Sequence, residues 1–277
     1  NPANRPTAKD LLETDLMQLQ LENDLSYKRG LEQGNEAQKS AEEQLKNSQQ
    51  AMHEAEQGKR VAENKLCGVI SATLDGRECD DARLRVIGLG IVEGLQLIFA
   101  TYPLDRITRV HSMSYFDLTG PCGTEVIQQL YAKKPFGPLL RLLQHNDGDV
   151  VGDAIGSIYN ILIAGTKTTL ESSLHPHFEA IESCGGVERM FAAFRRGQNK
   201  NVKDTAALCI GQLYRARECS NKIILHETIL HLIQLTKDAK IIWSNSAKLR
   251  MRGLAANNVN LAEIEGCGFN IQDGCNL

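Results

Sequence analysis

Two stretches carry residues whose types and spacing suggest chemistry. Gly88, Gly90 and Gly94 in RVIGLGIVEGLQLIF follow an apolar run, as glycines do in a dinucleotide-binding turn. Their order is G-x-G-x-x-x-G, whereas a pyrophosphate turn needs its third glycine one residue earlier and a βαβ unit around it. The apolar residues here fall on one helical face instead, so a helix weakened or kinked by its glycines is expected, each costing about 1 kcal/mol against alanine. In the second stretch, His175-Pro176-His177 with Cys184 offers two imidazoles and a thiol. Zinc needs three or four converging ligands, and a proline between two histidines more simply marks a helix break, so no metal ligand is assigned. His226 and His231 stand five apart, off a common helical face. No serine lies in a G-x-S-x-G elbow and no cysteine has a histidine partner in local sequence, so no catalytic residue and no cofactor is expected.

Charge marks a third stretch. From Arg189 to Lys222 there are eight basic residues against three acidic ones, counting Glu188. Arg195 and Arg196 should close one helix, where cations favour the dipole, and Lys200 and Lys203 should open the next. Arg189, Arg195, Arg196, Lys200 and Lys203 therefore form a candidate basic ridge for an acidic or phosphorylated protein partner, with a solvated helix face as the plainer alternative. Scarce aromatic residues in the ridge and a net charge of −3 argue against nucleic acid.

The elements that would position these residues are helical. Of the 277 residues, 42% are hydrophobic but only 5% aromatic, which suits Leu/Ile/Ala-rich helix packing better than a sandwich of sheets. Eight scattered cysteines without a C-x-x-C pair fit reduced thiols, hence a cytoplasmic location. No secretory signal pattern is visible. Val86 to Leu104 is strongly apolar yet carries Glu93 and Gln96, which fits a core helix rather than a membrane span.

Four segments follow from the composition. Residues 1–13 stand apart and are treated below. Residues 14–66 form an acidic, proline-free helical linker whose 4-3 row runs through Ala41, Leu45, Ser48, Met52, Ala55, Lys59, Ala62 and Leu66. Three alanines, Ser48 and Lys59 make a poor coiled-coil seam, so the segment reads as a solvated helix or a weakly self-associating coiled coil. Residues 67–120 form a helical connector with Leu84, Ile87, Ile91, Leu95 and Ile98 on one face and Asp80 or Asp81 as N-cap. Residues 121–277 hold three similar helix pairs, with Val150, Ala154 and Ile158 matched by Val202, Ala206 and Ile210 at an offset of 52, and a third unit about 40 further on. A helix pair of this length buries its apolar stripe only by stacking on another, which predicts an all-α solenoid; a compact helical bundle is the alternative.

KKPFGPLLRLLQH, ESSLHPHFEAIESCGGVERMF, KDTAALCIGQLYRAR and LAANNVNLAEIEGCGF resemble armadillo-type repeats over roughly residues 90 to 270, although each unit lacks a clear third helix and no asparagine ladder is recognisable. NPANRPTAKDLLE, residues 1–13, resembles the last motif of a eukaryotic-type protein kinase domain, with Pro2, Arg5 and Pro6 on the motif positions. The combination is similar to protist proteins in which a kinase domain precedes a helical linker and armadillo-like repeats. The resemblance implies a non-catalytic protein-interaction scaffold, all-α with an armadillo/HEAT-like solenoid after a long helix. On this expectation residues 1–13 are the remnant of a kinase-domain C-terminus from a larger polypeptide. The alternative is a fragment of a serine/threonine kinase whose glycine loop, H-R-D and D-F-G lie upstream of residue 1.

Overall fold

The computed structural model describes residues 8–167, 169, 170, 172–197 and 199–274, with side chains from residue 17 onward except at 273. Pro2, Arg5 and Pro6 lie outside the described residues. Two units are distinct, Asn1–Glu63 and Asn64–Leu277.

The first unit is the greater part of α1 (Ala8–Leu74), one unbroken helix of 67 residues. Good helix formers dominate it and Gly30, Gly34 and Gly58 are too isolated to break it. Every side chain from residue 17 to residue 62 is exposed, Leu45 and Met52 included, at 60% and 71%. Local pairs such as Gln50 with Glu54 (3.0 Å) and Lys59 with Glu63 (3.7 Å) follow the i,i+4 rule.

The second unit takes over the end of α1, where Cys67, Ile70 and Leu74 are buried, and continues as three-helix repeats. The first repeat is α2 (Asp80–Gly88), α3 (Ile91–Thr101) and α4 (Arg109–Thr119); the second is α5 (Thr124–Ala132), α6 (Phe136–Leu142) and α7 (Gly148–Thr166); the third is α8 (Phe178–Glu182), α9 (Gly186–Arg196) and α10 (Lys200–Leu213). A helix pair, α11 (Lys222–Leu235) and α12 (Ile241–Ala255), follows, and α13 (Asn258–Gly266) and α14 (Ile271–Gly274) close the described chain. Second helices stack on second helices (α3 on α6 on α9), and third helices on third helices (α4 on α7 on α10 on α12). That two-row stacking is what a solenoid requires.

The sequence offset is visible in the core. Val150, Ala154 and Ile158 of α7 and Val202, Ala206 and Ile210 of α10 are all buried, and Ala247 and Met251 of α12 repeat the last two. The structure corrects the helix-pair description, because short α5 and α8 precede the first and second of the expected pairs, α6–α7 and α9–α10. It also shows α2 to α4, within the stretch expected as a connector, to have the same three-helix order. Gly90, at φ +76°, is where the helix expected to be weakened or kinked by its glycines divides, and α2 and α3 meet at 65°. Ile87, Leu95 and Ile98 nevertheless stay buried, so the apolar face survives the break. Neither expected aspartate caps α2; Cys79 occupies the N-cap without a side-chain bond, and Asp80 accepts the Gly123 N–H at 3.0 Å instead.

α7 and α10 start on polar caps, Asp147 accepting from Asp149 N and Asn199 accepting from Val202 N, each worth about 1 kcal/mol. Gly156 lets α4 approach α7, since a Cβ there would lie 2.7 Å from Phe116 Cε2. Gly156→Ala should cost about 1–3 kcal/mol in denaturant unfolding. Phe116→Leu in the same chain should recover part of that loss, and an equal loss in both backgrounds would exclude the clash.

Candidate functional site: a cleft on the third-helix row and a partnered basic ridge

The row of third helices carries a cleft of about 840 Å³ where α4 and α7 end and α2 and α5 begin. Thr119 and Asn160 share its wall, the Asn160 amide donating to Thr119 Oγ1 at 3.1 Å. Tyr159 and Ile163 add apolar surface from α7. Glu78, Asp80 and Asp81 bring three carboxylates to the rim and Lys167 one ammonium. The Cys122 thiol in the cleft is pushed up by burial, which keeps it from being the thiolate a nucleophile needs.

Asp153 lies on the same pair of helices. Its carboxylate accepts from Ser112 Oγ at 2.7 Å and faces Arg109 Nε at 3.9 Å, but burial dominates and raises its pKa to about 6. A carboxyl whose folded pKa lies above its unfolded one adds stability that is complete below pH 3.8 and is lost as pH rises through 6. The stability difference between wild type and Asp153→Asn should therefore drift by about 3 kcal/mol from pH 3.5 to pH 7, against the wild type. Urea unfolding across that range measures it, and a pH-independent difference would contradict the burial.

At the expected basic ridge, α9 ends at Arg196 and α10 starts at Lys200, and several of the cations there have internal partners. Lys200 Nζ lies 2.6 Å from Asp204 and 3.0 Å from Asp238. Arg195 Nε is 3.6 Å from Glu227 and its guanidinium covers Phe191; Lys203 lies over Phe194. Arg196 donates to the Leu143 carbonyl at the end of α6. Arg141 does the same one repeat earlier, donating to the Phe99 and Tyr102 carbonyls at the end of α3. Arg196 is thus the second of two staples that satisfy orphan carbonyls between repeats. Arg189 is half-buried. Arg215, in the same basic stretch, is buried and donates to Ser173 O at 2.8 Å. Sequence spacing missed Glu227 and Asp238 because they arrive from α11 and the loop after it.

His175 and His177 are buried in the turn after α7. His175 Nε2 donates to Leu162 O at 3.1 Å and its Nδ1 accepts from His177 N, while His177 stacks on Tyr131 at 3.9 Å. These contacts close a helix end, as the punctuation reading expects. No single helix among the described residues is long and apolar enough to cross a membrane; α2 and α3 reach that composition only as a bent pair.

No family model and no curated protein matches the chain. Solved structures do resemble it. A designed armadillo repeat protein in complex with the peptide (KR)4 is 16% identical with a TM-score of 0.54, covering 75% of this chain and 81% of that one. A computationally designed armadillo repeat protein for modular peptide recognition is 17% identical with a TM-score of 0.53, covering 79% and 84%. An engineered protein is 17% identical with a TM-score of 0.54, covering 76% and 78%. The described chain is helical throughout, without the bilobal fold of a protein kinase, and its second unit is an all-α, armadillo-like solenoid.

Proposed function

We propose that this chain is a non-catalytic protein-interaction scaffold whose third-helix row receives an extended, basic segment of a partner protein. The observation that carries the reading is the cleft itself, with an amide, an aromatic ring and three carboxylates converging between two repeats. A designed relative in fold is solved with (KR)4, which supports the same polarity of ligand. The test is fluorescence anisotropy of a labelled Lys/Arg-rich peptide with the whole chain. Saturable, salt-sensitive binding that Glu78→Lys/Asp81→Lys weakens at least tenfold is expected; equal binding by the variant would sink the cleft.

A second reading assigns an acidic or phosphorylated partner to the ridge Arg189, Arg195, Arg196, Lys200 and Lys203. The exposure of Arg195 and Arg196 as residues favours it, although both guanidinium groups also contact the protein. Arg195→Glu/Arg196→Glu should then release an acidic peptide and leave the basic one bound. Exposed Leu45 and Met52 on α1 support weak self-association through residues 14–66, which sedimentation with and without that segment tests. The motif at Pro2, Arg5 and Pro6 supports placing the scaffold in a polypeptide that also contains a kinase domain, and the scattered cysteines support a cytoplasmic one. H-R-D and D-F-G motifs encoded upstream of Asn1 would support that placement, and an unrelated upstream sequence would remove it.

A further inference from the structure

Near the closing helices, three side chains of different donor type converge across two helices. His226 projects from α11, while Glu263 stands in the last turn of α13 and Cys267, four residues on, is its C-cap, so both face it. His226 Nδ1 is 2.6 Å from Glu263 Oε1 and 3.7 Å from Cys267 Sγ, and the thiol sulfur is 3.9 Å from the same carboxylate oxygen. From these positions the geometry points to a divalent zinc-class cation bound by His226 Nδ1, Glu263 and Cys267, with water completing a tetrahedron.

The triangle is close to the one zinc needs. With bonds of about 2.1 Å to nitrogen and oxygen and about 2.3 Å to sulfur, tetrahedral ligands stand about 3.4–3.6 Å apart. Both sulfur edges already lie within a few tenths of an ångström of that, and the nitrogen to oxygen edge opens by rotation of the half-buried carboxylate arm of Glu263. The donor set itself, one imidazole, one thiolate and one carboxylate, suits zinc better than calcium or magnesium, which take oxygen ligands.

Two competing explanations fit less well. An acid–base relay would hold the carboxylate on one ring nitrogen and the thiol on the other, whereas here both face Nδ1. A plain ion pair accounts for His226 and Glu263 but leaves the convergence of the sulfur unexplained. A clamp would matter to α13, whose only buried residues are Asn260 and Ile264. The metal would displace the thiol proton and tie this helix to α11, stiffening the end of the solenoid.

The test uses the whole chain, reduced and stripped with chelator, titrated with cobalt(II) and then zinc. One equivalent of cobalt should develop the visible bands of a four-coordinate site and a thiolate charge-transfer band, both removed by zinc. Cys267→Ser should abolish the charge-transfer band and weaken cobalt binding at least tenfold, and His226→Ala should weaken it similarly. Cys184→Ser should bind as wild type. Zinc should also slow amide exchange over residues 258–266 in the wild type and not in Cys267→Ser. Absence of the charge-transfer band in the wild type, its persistence in Cys267→Ser, or unchanged exchange in α13 would overturn the site.

Discussion

Arg83→Leu should lower the stability of the second unit by about 4 kcal/mol, the largest loss expected from any single substitution here. The Arg83 side chain is fully buried and donates to Asp117 O from Nε (3.1 Å) and Nη2 (3.0 Å), to Arg77 O (2.8 Å), and to Gly120 O (3.2 Å). Leu74 O completes the set at 3.4 Å. These are carbonyls at or just past the C-terminal ends of α1 and α4, where a helix carries orphan acceptors and partial negative charge. Leucine would fill the volume but leave several of them buried and unpaired, at about 1–3 kcal/mol each before relaxation. Arg83→Lys should recover only a minor part, because an ammonium cannot fork to carbonyls on two helices. Urea unfolding measures both, and a loss below 1 kcal/mol for Arg83→Leu would show that water replaces the guanidinium.

Acid should unfold the chain through His175 and His177. Burial lowers their pKa values to about 3 and about 4, so both are neutral in the fold. For a histidine with a depressed folded pKa, the stability is complete above pH 6.5 and is lost as pH falls, because only the unfolded chain takes up the proton. From pH 6.5 to pH 4.5 the pair should remove about 5 kcal/mol, at about 1.4 kcal/mol per pH unit for each ring. His177 Nδ1 is buried without a hydrogen-bond partner among the described residues, so His177→Leu deletes the titration without orphaning a neighbour. Its stability at pH 5 relative to pH 7 should fall about 2 kcal/mol less than the wild type's. Parallel pH curves for the two proteins would show that His177 is protonated in the fold.

Periodic apolar residues made most of this fold legible. The 52-residue offset, the long solvated helix and the α9–α10 turn can be drawn from the spacing alone, because each is a local property of a helical stripe. Arg83 shows where that logic ends: it precedes Leu84 in a helix and looks solvated, yet it points inward to backbone acceptors 34 and 37 residues away. Arg196 is similar, since nothing local reveals that its guanidinium reaches the end of α6. The short helix α8 was hard to see because five residues hold too few turns to display a period. The cleft and the His226, Glu263 and Cys267 cluster were invisible for a topological reason: their members meet only when one repeat stacks on another.

Hydrogen exchange of the whole chain, with and without a saturating Lys/Arg-rich peptide, tests the scaffold most directly. Slowed exchange confined to residues around 78–81, 119–123 and 159–167 is the predicted result. Protection that is absent there, or that falls only on residues 189–203, would contradict a binding cleft on the third-helix row.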